Sequence, residues 1–221
     1  MSDFEQLAPR LHRWTAPHPE WTPEESGPDG WERDVACFAW QGDDALVLID
    51  PLEPAPEGPE QTSFWAELDA LASAASTVAI VLTVWWHERS AGHLLERYQK
   101  GPGATVWADD RGLDKLDCPV TNPFRGDGPL PGGIQAFDAR RRNEVVLWLP
   151  EVQALVAGDV LLGRDEGLRL CPASWVGGEE RLARMRDSLR RVLELPVEIV
   201  LPSHGPPVLA GGREALERAL A

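Results

Sequence analysis

The spacing of apolar residues predicts β-strands that alternate with α-helices, in a chain that begins with strands. The predicted strands cover residues 35–40, 45–49, 78–82, 105–107, 134–137, 144–149, 154–156 and 199–201. The predicted helices begin after Thr62 or Ser63, after Ser90 (to about residue 99), at residue 179 (to 193) and at residue 212 (to 220). The two halves of the chain have a similar order of strands followed by helices. This order fits two packed β-sheets with helices on their outer faces.

Two connecting segments have a distinctive composition. Gln41-Gly-Asp-Asp44 is rich in turn-forming residues and predicts a hairpin between the first two strands. The segment 51–59 contains four prolines and predicts an extended surface loop.

Length and composition fit one domain. The chain has 221 residues, 43% of them hydrophobic, which is enough for one large core, and no shift in composition marks a second domain. We therefore predict a single domain over residues 1–221. The first residues lack the basic head and apolar centre of a signal peptide, and no run of about 18 apolar residues occurs. These features predict a soluble cytoplasmic protein without a membrane partner.

The charge of the chain restricts its partners. The sequence has 36 acidic and 21 basic residues and a net charge of -15, which repels the phosphate backbone of nucleic acids. We expect no nucleic-acid partner, whereas a small-molecule ligand stays open, because local charge can oppose the overall charge. Arginines in the helix at 179–193 pair with acidic residues four positions earlier, at Glu180/Arg184 and Asp187/Arg191, so we expect a solvated helix surface there. No pattern predicts the oligomeric state.

Three separated segments carry the candidate chemistry. The first runs from Thr83 to Gly92, between an apolar strand and a helix; the second ends in Gly158-Asp159; the third is Ile199-Val-Leu-Pro-Ser-His-Gly-Pro-Pro207. Gly-Asp and His-Gly are common in turns. In this order and spacing, however, residues 35–207 resemble the metallo-β-lactamase superfamily, whose first segment reads T-H-x-H-x-D-H-x-G-G. The resemblance implies an α+β fold, the four-layer αββα sandwich.

The resemblance also implies which residues stand at metal positions. Enzymes of this superfamily hold two zinc ions with histidines and carboxylates, and the ions generate hydroxide near neutral pH. Val84 and Trp86 stand where the first two histidines are expected, and Arg89 stands at the third. The next histidine position, counted back from Leu149-Pro150, falls on Arg140. No histidine remains for the first ion, so the motif is degenerate.

The second ion's positions keep polar residues, namely Glu88, Asp159 and His204. These three candidate catalytic residues can hold one zinc or manganese ion, and a local slip in the loop would bring in His87. Against a metal, Arg89 and Arg140 add positive charge where the superfamily places ligands. We therefore predict no tightly bound metal or other cofactor. We expect Asp159 to form a salt bridge with Arg89, Arg140 or both.

Tryptophan is frequent, with ten residues in the chain. Trp85 and Trp86 lie in the first segment, and Trp175 follows Asp159, so all three are candidates for the wall of a ligand pocket together with His87, Arg89 and Arg140. Trp86 is expected to fill the volume left by missing ions and imidazoles. For Trp85 and Trp175, pocket wall and core packing both stay open.

Other catalytic devices are weakly indicated. Ser203 and His204 are adjacent, so their side chains are expected to point apart, and no G-x-S-x-G motif is present. The three cysteines are far apart and odd in number, which predicts reduced and mostly buried thiols. Three histidines outside the motif are expected to be surface or core residues: His12, His18 and His93.

Two functions fit these patterns. The first is a protein that does not use zinc for hydrolysis and whose pocket, held by Arg, Asp and Glu pairs, either binds a small ligand or serves only as structure. The second is a hydrolase that uses one metal ion to cleave an ester, thioester or lactone-like bond. The loss of histidine at four metal positions favours the first, since a fold does not establish an activity.

Overall fold

The computed structural model describes residues 4–27, 29–54 and 59–221. Its strands are β1 (Glu5–Ala8), β2 (Leu11–Pro17), β3 (Asp34–Gln41), β4 (Leu46–Ile49), β5 (Val78–Val81), β6 (Ala104–Asp109), β7 (Asn122–Phe124), β8 (Gly128–Pro129), β9 (Gln135–Arg141), β10 (Glu144–Leu149), β11 (Ala154–Gly158), β12 (Leu161–Arg164), β13 (Gly167–Leu170) and β14 (Ile199–Pro202). Its helices are α1 (Pro59–Ala74), α2 (Ala91–Gln99), α3 (Ala173–Val176), α4 (Glu179–Leu189) and α5 (Gly212–Ala219).

The described strands form two main sheets. One has the order β1-β2-β3-β4-β5-β6-β7, antiparallel as far as β4 and parallel from β4 to β7. The other has the order β14-β11-β10-β9-β8, in which only the β14/β11 pair is parallel. Strands β12 and β13 form a separate hairpin. The carboxyl ends of several parallel strands therefore meet at one edge of the molecule.

Alternate residues of each central strand face different layers, because successive side chains of a strand point to opposite sides. In β4, Leu46 and Leu48 pack with Phe64 of α1 and Leu94 of α2, whereas Val47 packs in the core between the sheets. Both faces of the strand are therefore buried, which explains its unbroken apolar sequence.

The second sheet repeats this arrangement. In β10, Leu147 faces the core between the sheets, and Val146 packs with Met185 of α4 and Leu216 of α5. The layers are therefore helix, sheet, sheet and helix, and the predicted α+β sandwich is confirmed.

Most predicted elements are present, with three differences. Helix α1 begins at Pro59, before Thr62 or Ser63, and proline suits a first helical turn because it needs no N–H partner there. Ser90 precedes α2, but its hydroxyl accepts the Glu53 N–H (3.0 Å) and does not cap the helix. Strands β1, β2, β7 and β8, the β12/β13 hairpin and helix α3 were not predicted. The loop prediction for residues 51–59 lies partly outside the described residues.

Several smaller predictions can be compared directly. Arg184 pairs with Glu180 (2.6 Å) as expected, whereas Arg191 pairs with Asp127 (2.6 Å) and not with Asp187. The three cysteines are free and buried, as predicted. None of the helices in the described ranges combines the length and hydropathy needed to cross a bilayer.

Candidate functional site

The candidate site lies where four strands of the two sheets end. Asp50 follows β4, Thr83 lies just beyond β5, Asp159 follows β11 and His204 comes after β14. The Val145 N–H donates to the Thr83 carbonyl (2.9 Å) and joins the two sheets at this point. Residues far apart in sequence therefore converge on one edge of the sandwich.

Asp50 fixes the orientation of His87. Its Oδ1 accepts the Thr83 N–H (2.8 Å), and its Oδ2 accepts the Thr83 hydroxyl (2.5 Å) and contacts His87 Nδ1 (2.9 Å). The Asp50 and His87 side chains are almost fully buried. A short 3₁₀ turn, Trp85–His87, directs the imidazole inward, so that the loop presents His87 Nε2 to Asp159.

Asp159 is the centre of the site. Its Oδ2 accepts the Trp86 Nε1–H (2.9 Å) and lies 3.8 Å from Arg141 Nη1. Its Oδ1 lies 3.2 Å from His87 Nε2 and 3.4 Å from His204 Nε2. Neither contact has the alignment of a hydrogen bond, so this buried oxygen has no hydrogen-bond partner among the described residues. This oxygen is therefore enclosed by the two imidazoles and is not accessible to solvent.

The protonation states follow from these contacts. Burial alone would raise the pKa of Asp159, but the positive charge of His87 and the contacts from both imidazoles hold it well below its ordinary value. Burial and the Arg89 charge would lower the pKa of His87, but Asp159 and Asp50 outweigh them and raise it to about 9. At neutral pH an imidazolium therefore lies between two carboxylates.

A second buried ion pair lies beside Asp159. Arg141 Nη1 donates to Glu144 Oε2, and Glu144 Oε1 accepts the Asp159 N–H (2.6 Å). Burial raises the pKa of Glu144 to about 7, although Arg141 opposes this shift. The charges of Glu144 and Asp159 raise the pKa of Arg141 above its ordinary value despite its burial. Gly158 (φ 54°) leaves room for this pair, since a Cβ there would lie 2.5 Å from Glu144 Oε1.

The predicted salt bridge from Asp159 to Arg89 or Arg140 is wrong, since Arg141 takes this place. The pairing of β9 with β10 shifts by a bulge between Glu144 and Val145. Arg140 lies in the bulged end of β9 (φ 59°) and is exposed, whereas Arg141 is buried. Arg89 Nη1 donates to the carbonyls of Asp50 (2.8 Å) and Ala36 (3.3 Å), so it holds backbone and not a carboxylate.

Glu88 does not join Asp159 and His204. Its two carboxylate oxygens accept the N–H groups of Asp117 (2.9 Å) and Cys118 (2.6 Å), which holds the side chain on the other side of the loop. The predicted alternative metal site of Glu88, Asp159 and His204 is therefore not assembled. His87 occupies the place beside Asp159 instead. Among the residues described, no group of three or more His, Cys, Asp or Glu side chains is arranged to hold a metal ion.

A cavity of about 270 Å³ opens above Asp159. Trp86 and Trp175, both pocket candidates, line it together with His87, Arg89 and His204. Trp85 does not line it: its Cβ and ring pack near Gly112, and Lys115 Nζ lies 4.7 Å from its ring. The neighbouring groove of about 510 Å³ takes in Trp85 and Glu88, while Arg140 lines a separate pocket.

The segment before β3 contributes residues that the sequence did not indicate. Trp31 lies 5.3 Å from the His204 ring and 5.1 Å from His18, which was expected to be a surface or core residue. Glu20 and Glu25 complete this wall of the cavity. In the sequence, His18 and Trp31 lie thirteen positions apart, with Glu20 and Glu25 between them. No periodic pattern connected this segment with the motif.

Comparisons with known proteins come from structure alone. No family model matches the chain, and no curated protein matches its sequence. A metallo-β-lactamase from Erythrobacter litoralis is 20% identical, with a TM-score of 0.67 over 98% of this chain and 93% of that one. The DIM-1 metallo-β-lactamase is 16% identical, with a TM-score of 0.65 over 98% and 94% of the two chains.

A metallo-β-lactamase family protein from Thermus thermophilus is 18% identical, with a TM-score of 0.64 over 96% of this chain and 79% of that one. Identity at this level carries information about the fold and not about the reaction. Because the likeness extends over nearly the whole chain in each case, the protein has the metallo-β-lactamase fold.

Proposed function

We propose that this protein is a metallo-β-lactamase-fold member whose pocket binds a small ligand without zinc. The proposal depends on one observation: the Trp86 indole donates its N–H to Asp159 Oδ2, and the Arg141 guanidinium lies 3.8 Å from the same oxygen. In the superfamily that the sequence resembles, this aspartate is a metal ligand. Here an N–H donor and a fixed positive charge face it, and both disfavour a cation at that oxygen.

Charge balance supports the same conclusion. Asp50, Asp159 and Glu144 are buried together, and burial of carboxylates is unfavourable unless cations compensate it. Arg141 and the His87 imidazolium supply that compensation from the chain itself. Two zinc ions would add four positive charges to a cluster that is already close to neutral. The residues present therefore do not fit the two-zinc centre of the superfamily.

The residues that line the cavity indicate the class of ligand. Asp159 Oδ1 is buried without a hydrogen-bond partner in the described part of the chain. Glu20 and Glu25 add negative charge at the exposed rim of the cavity, Arg89 and Arg141 add positive charge in its less exposed part, and Trp31 and Trp175 provide aromatic walls. A cavity of about 270 Å³ suits a compact molecule. We infer a small ligand with an aromatic or apolar body and a cationic or hydrogen-bond-donating head group.

The first test is the metal content. After purification with zinc present and extensive dialysis, we expect far less than one ion per chain by elemental analysis, because Trp86 and Arg141 face the central carboxylate. A zinc-retaining lactamase of the same fold, treated identically, is the control. One or two ions per chain that survive dialysis would overturn the proposal.

The second test is ligand binding, with benzylamine, benzyl alcohol and benzoate as matched probes. We expect affinity to fall in that order, because the two exposed glutamates at the rim favour a cation. Glu20→Gln should weaken benzylamine binding roughly tenfold, because a charge-assisted contact at the exposed rim is lost. Glu25→Gln should weaken it less, and Glu24→Gln, an exposed neighbour outside the lining, should leave it unchanged. Equal binding of benzoate would contradict the proposed ligand class.

A one-metal hydrolase is the second candidate, because the Nε2 atoms of His87 and His204 both lie within 3.4 Å of Asp159 Oδ1, although these three side chains are not arranged around an ion position in the described structure. Two imidazoles and one carboxylate are donors that zinc accepts. An ester, thioester and lactone screen with and without zinc or manganese distinguishes the candidates. Metal-stimulated turnover that Asp159→Ala abolishes would favour the hydrolase, and the absence of turnover would favour the ligand-binding protein.

A further inference from the structure

A second cavity, of about 250 Å³, is lined almost entirely by arginine. Its lining residues are Arg140, Arg141, Arg142, Val176, Arg181 and Arg184. Five arginines thus line one cavity in a protein whose net charge is -15. We propose that this cavity, the arginine pocket, binds the phosphate or diphosphate group of a small molecule. The proposal is independent of the ligand of the aromatic cavity.

The register of α4 on β9 brings the arginines together. Ser188 Oγ donates to the Ala139 carbonyl (2.9 Å), which fixes the helix against the strand. Arg184 and Arg181 lie four and seven residues before Ser188, on the same face of the helix. They therefore extend along the strand towards Arg140, at the end of β9, and Arg142, in the turn that follows it. The pocket is built from two elements distant in sequence and is not one basic stretch of chain.

Three of the five arginines form no ion pair within 4.0 Å in the described part of the chain, although the charge of Arg140 also helps to lower the pKa of Asp127. In the described ranges, no ion pair is formed by Arg140, Arg142 or Arg181, although the chain has 36 acidic residues. Arg184 pairs with Glu180, but both side chains are largely exposed, so the interaction is weak. Unpaired guanidinium groups that share one concavity repel one another unless an anion separates them. The arrangement is therefore complementary to a multiply charged anion.

Arg141 supplies a further unpaired donor. Its side chain is 5% exposed, its Nη1 is bound to Glu144, and its buried Nε has no hydrogen-bond partner among the residues described. A buried N–H without an acceptor is unfavourable. An oxyanion in the arginine pocket would bring acceptor oxygens next to this side chain. Guanidinium groups match phosphate in both charge and planar geometry.

Two arginines of the pocket have unfavourable backbone conformations. Arg140 (φ 59°) and Arg142 (φ 43°) both have left-handed conformations, in which a Cβ-bearing side chain is strained and glycine or asparagine is preferred. The negative charge of the whole protein does not prevent anion binding here, because ionic strength screens charges beyond about 8 Å under physiological conditions. Local contacts therefore decide the affinity.

Titration calorimetry with inorganic pyrophosphate, at constant ionic strength, tests the proposal. We expect one saturable site per chain. Arg140→Gln and Arg181→Gln should each weaken binding roughly tenfold, since each removes a charge-assisted contact. Arg213→Gln is the matched control, because it removes the same charge from an exposed arginine on α5. Arg141 is left intact, since its loss would leave Glu144 unpaired in the interior.

The pyrophosphate affinities of these variants support or overturn the arginine pocket. Selective weakening in Arg140→Gln and Arg181→Gln, with circular dichroism spectra like that of the parent, supports the arginine pocket. Absence of a saturable signal overturns it, and so does equal weakening in Arg213→Gln, which would show dependence on overall charge alone. Benzylamine binding should be unchanged in the Arg140 and Arg181 variants, so a failure of the aromatic-cavity proposal is seen separately.

Discussion

Arg141→Met is expected to lower the free energy of unfolding by about 3–5 kcal/mol, the range for breaking a buried ion pair by removing one partner. Arg141 is the direct cationic partner of Glu144 and also lies near Asp159 Oδ2. Its guanidinium carbon is 5.0 Å from the Trp86 ring centre, so packing is lost as well. Urea unfolding followed by circular dichroism measures the change, and the melting temperature should fall by about 10 °C.

The double variant Arg141→Met/Glu144→Gln separates charge from packing. Glutamine is nearly isosteric with glutamate, and its oxygen can still accept the Asp159 N–H that Glu144 Oε1 accepts. We expect the second substitution to restore at least half of the lost stability, because it removes the uncompensated buried charge. If the double variant is no more stable than Arg141→Met, packing and not the ion pair explains the loss.

Asp50→Asn is expected to reduce the free energy of unfolding by about 3 kcal/mol, because contacts to a charged acceptor are each worth about 1.5–3 kcal/mol. Asp50 accepts the Thr83 N–H and hydroxyl and contacts His87 Nδ1. An asparagine amide would direct two N–H donors at groups that are themselves donors. Asparagine tolerates the positive φ of 48° at this position, so backbone strain does not explain the effect.

The measurement again is denaturant unfolding, with hydrogen exchange of the Thr83 amide as a local readout. Asp43→Asn is the matched control, because that carboxylate is 88% exposed and forms a surface ion pair with Arg10. Surface pairs contribute about 0–1 kcal/mol, so the control should differ little from the parent. A similar stability for both variants would show that Asp50 does not organise the loop.

The central layers were predictable from sequence because their strands are buried on both faces. Unbroken apolar stretches such as those of β4, β5 and β10 permit little besides a buried strand. Strand β2 was missed because its buried residues, Leu11, Trp14 and Ala16, are spaced three and then two positions apart and do not keep one period. Strand β1 has no fully buried residue, so its pairing with β2 left no apolar signal.

The sequence predicted the location of the candidate site more accurately than the contacts within it. Asp159 and His204 do lie together, and Trp86 does contact Asp159. The partner arginine was misplaced by one residue because the β9/β10 pairing contains a bulge. Glu88 was predicted beside Asp159, but His87 lies there. The reason is similar, since a 3₁₀ turn rotates successive side chains by about a third of a turn.

By itself, the sequence determined which chemical groups are available: no histidine stands at four of the positions where the superfamily places metal ligands, and arginines and tryptophans are close by. It also determined the αββα sandwich, because strands that are apolar at every position are buried on both faces. The tertiary structure alone decided that Arg141 and His87 face Asp159. Neighbouring residues point in different directions, so a one-residue bulge or turn changes which charge is buried.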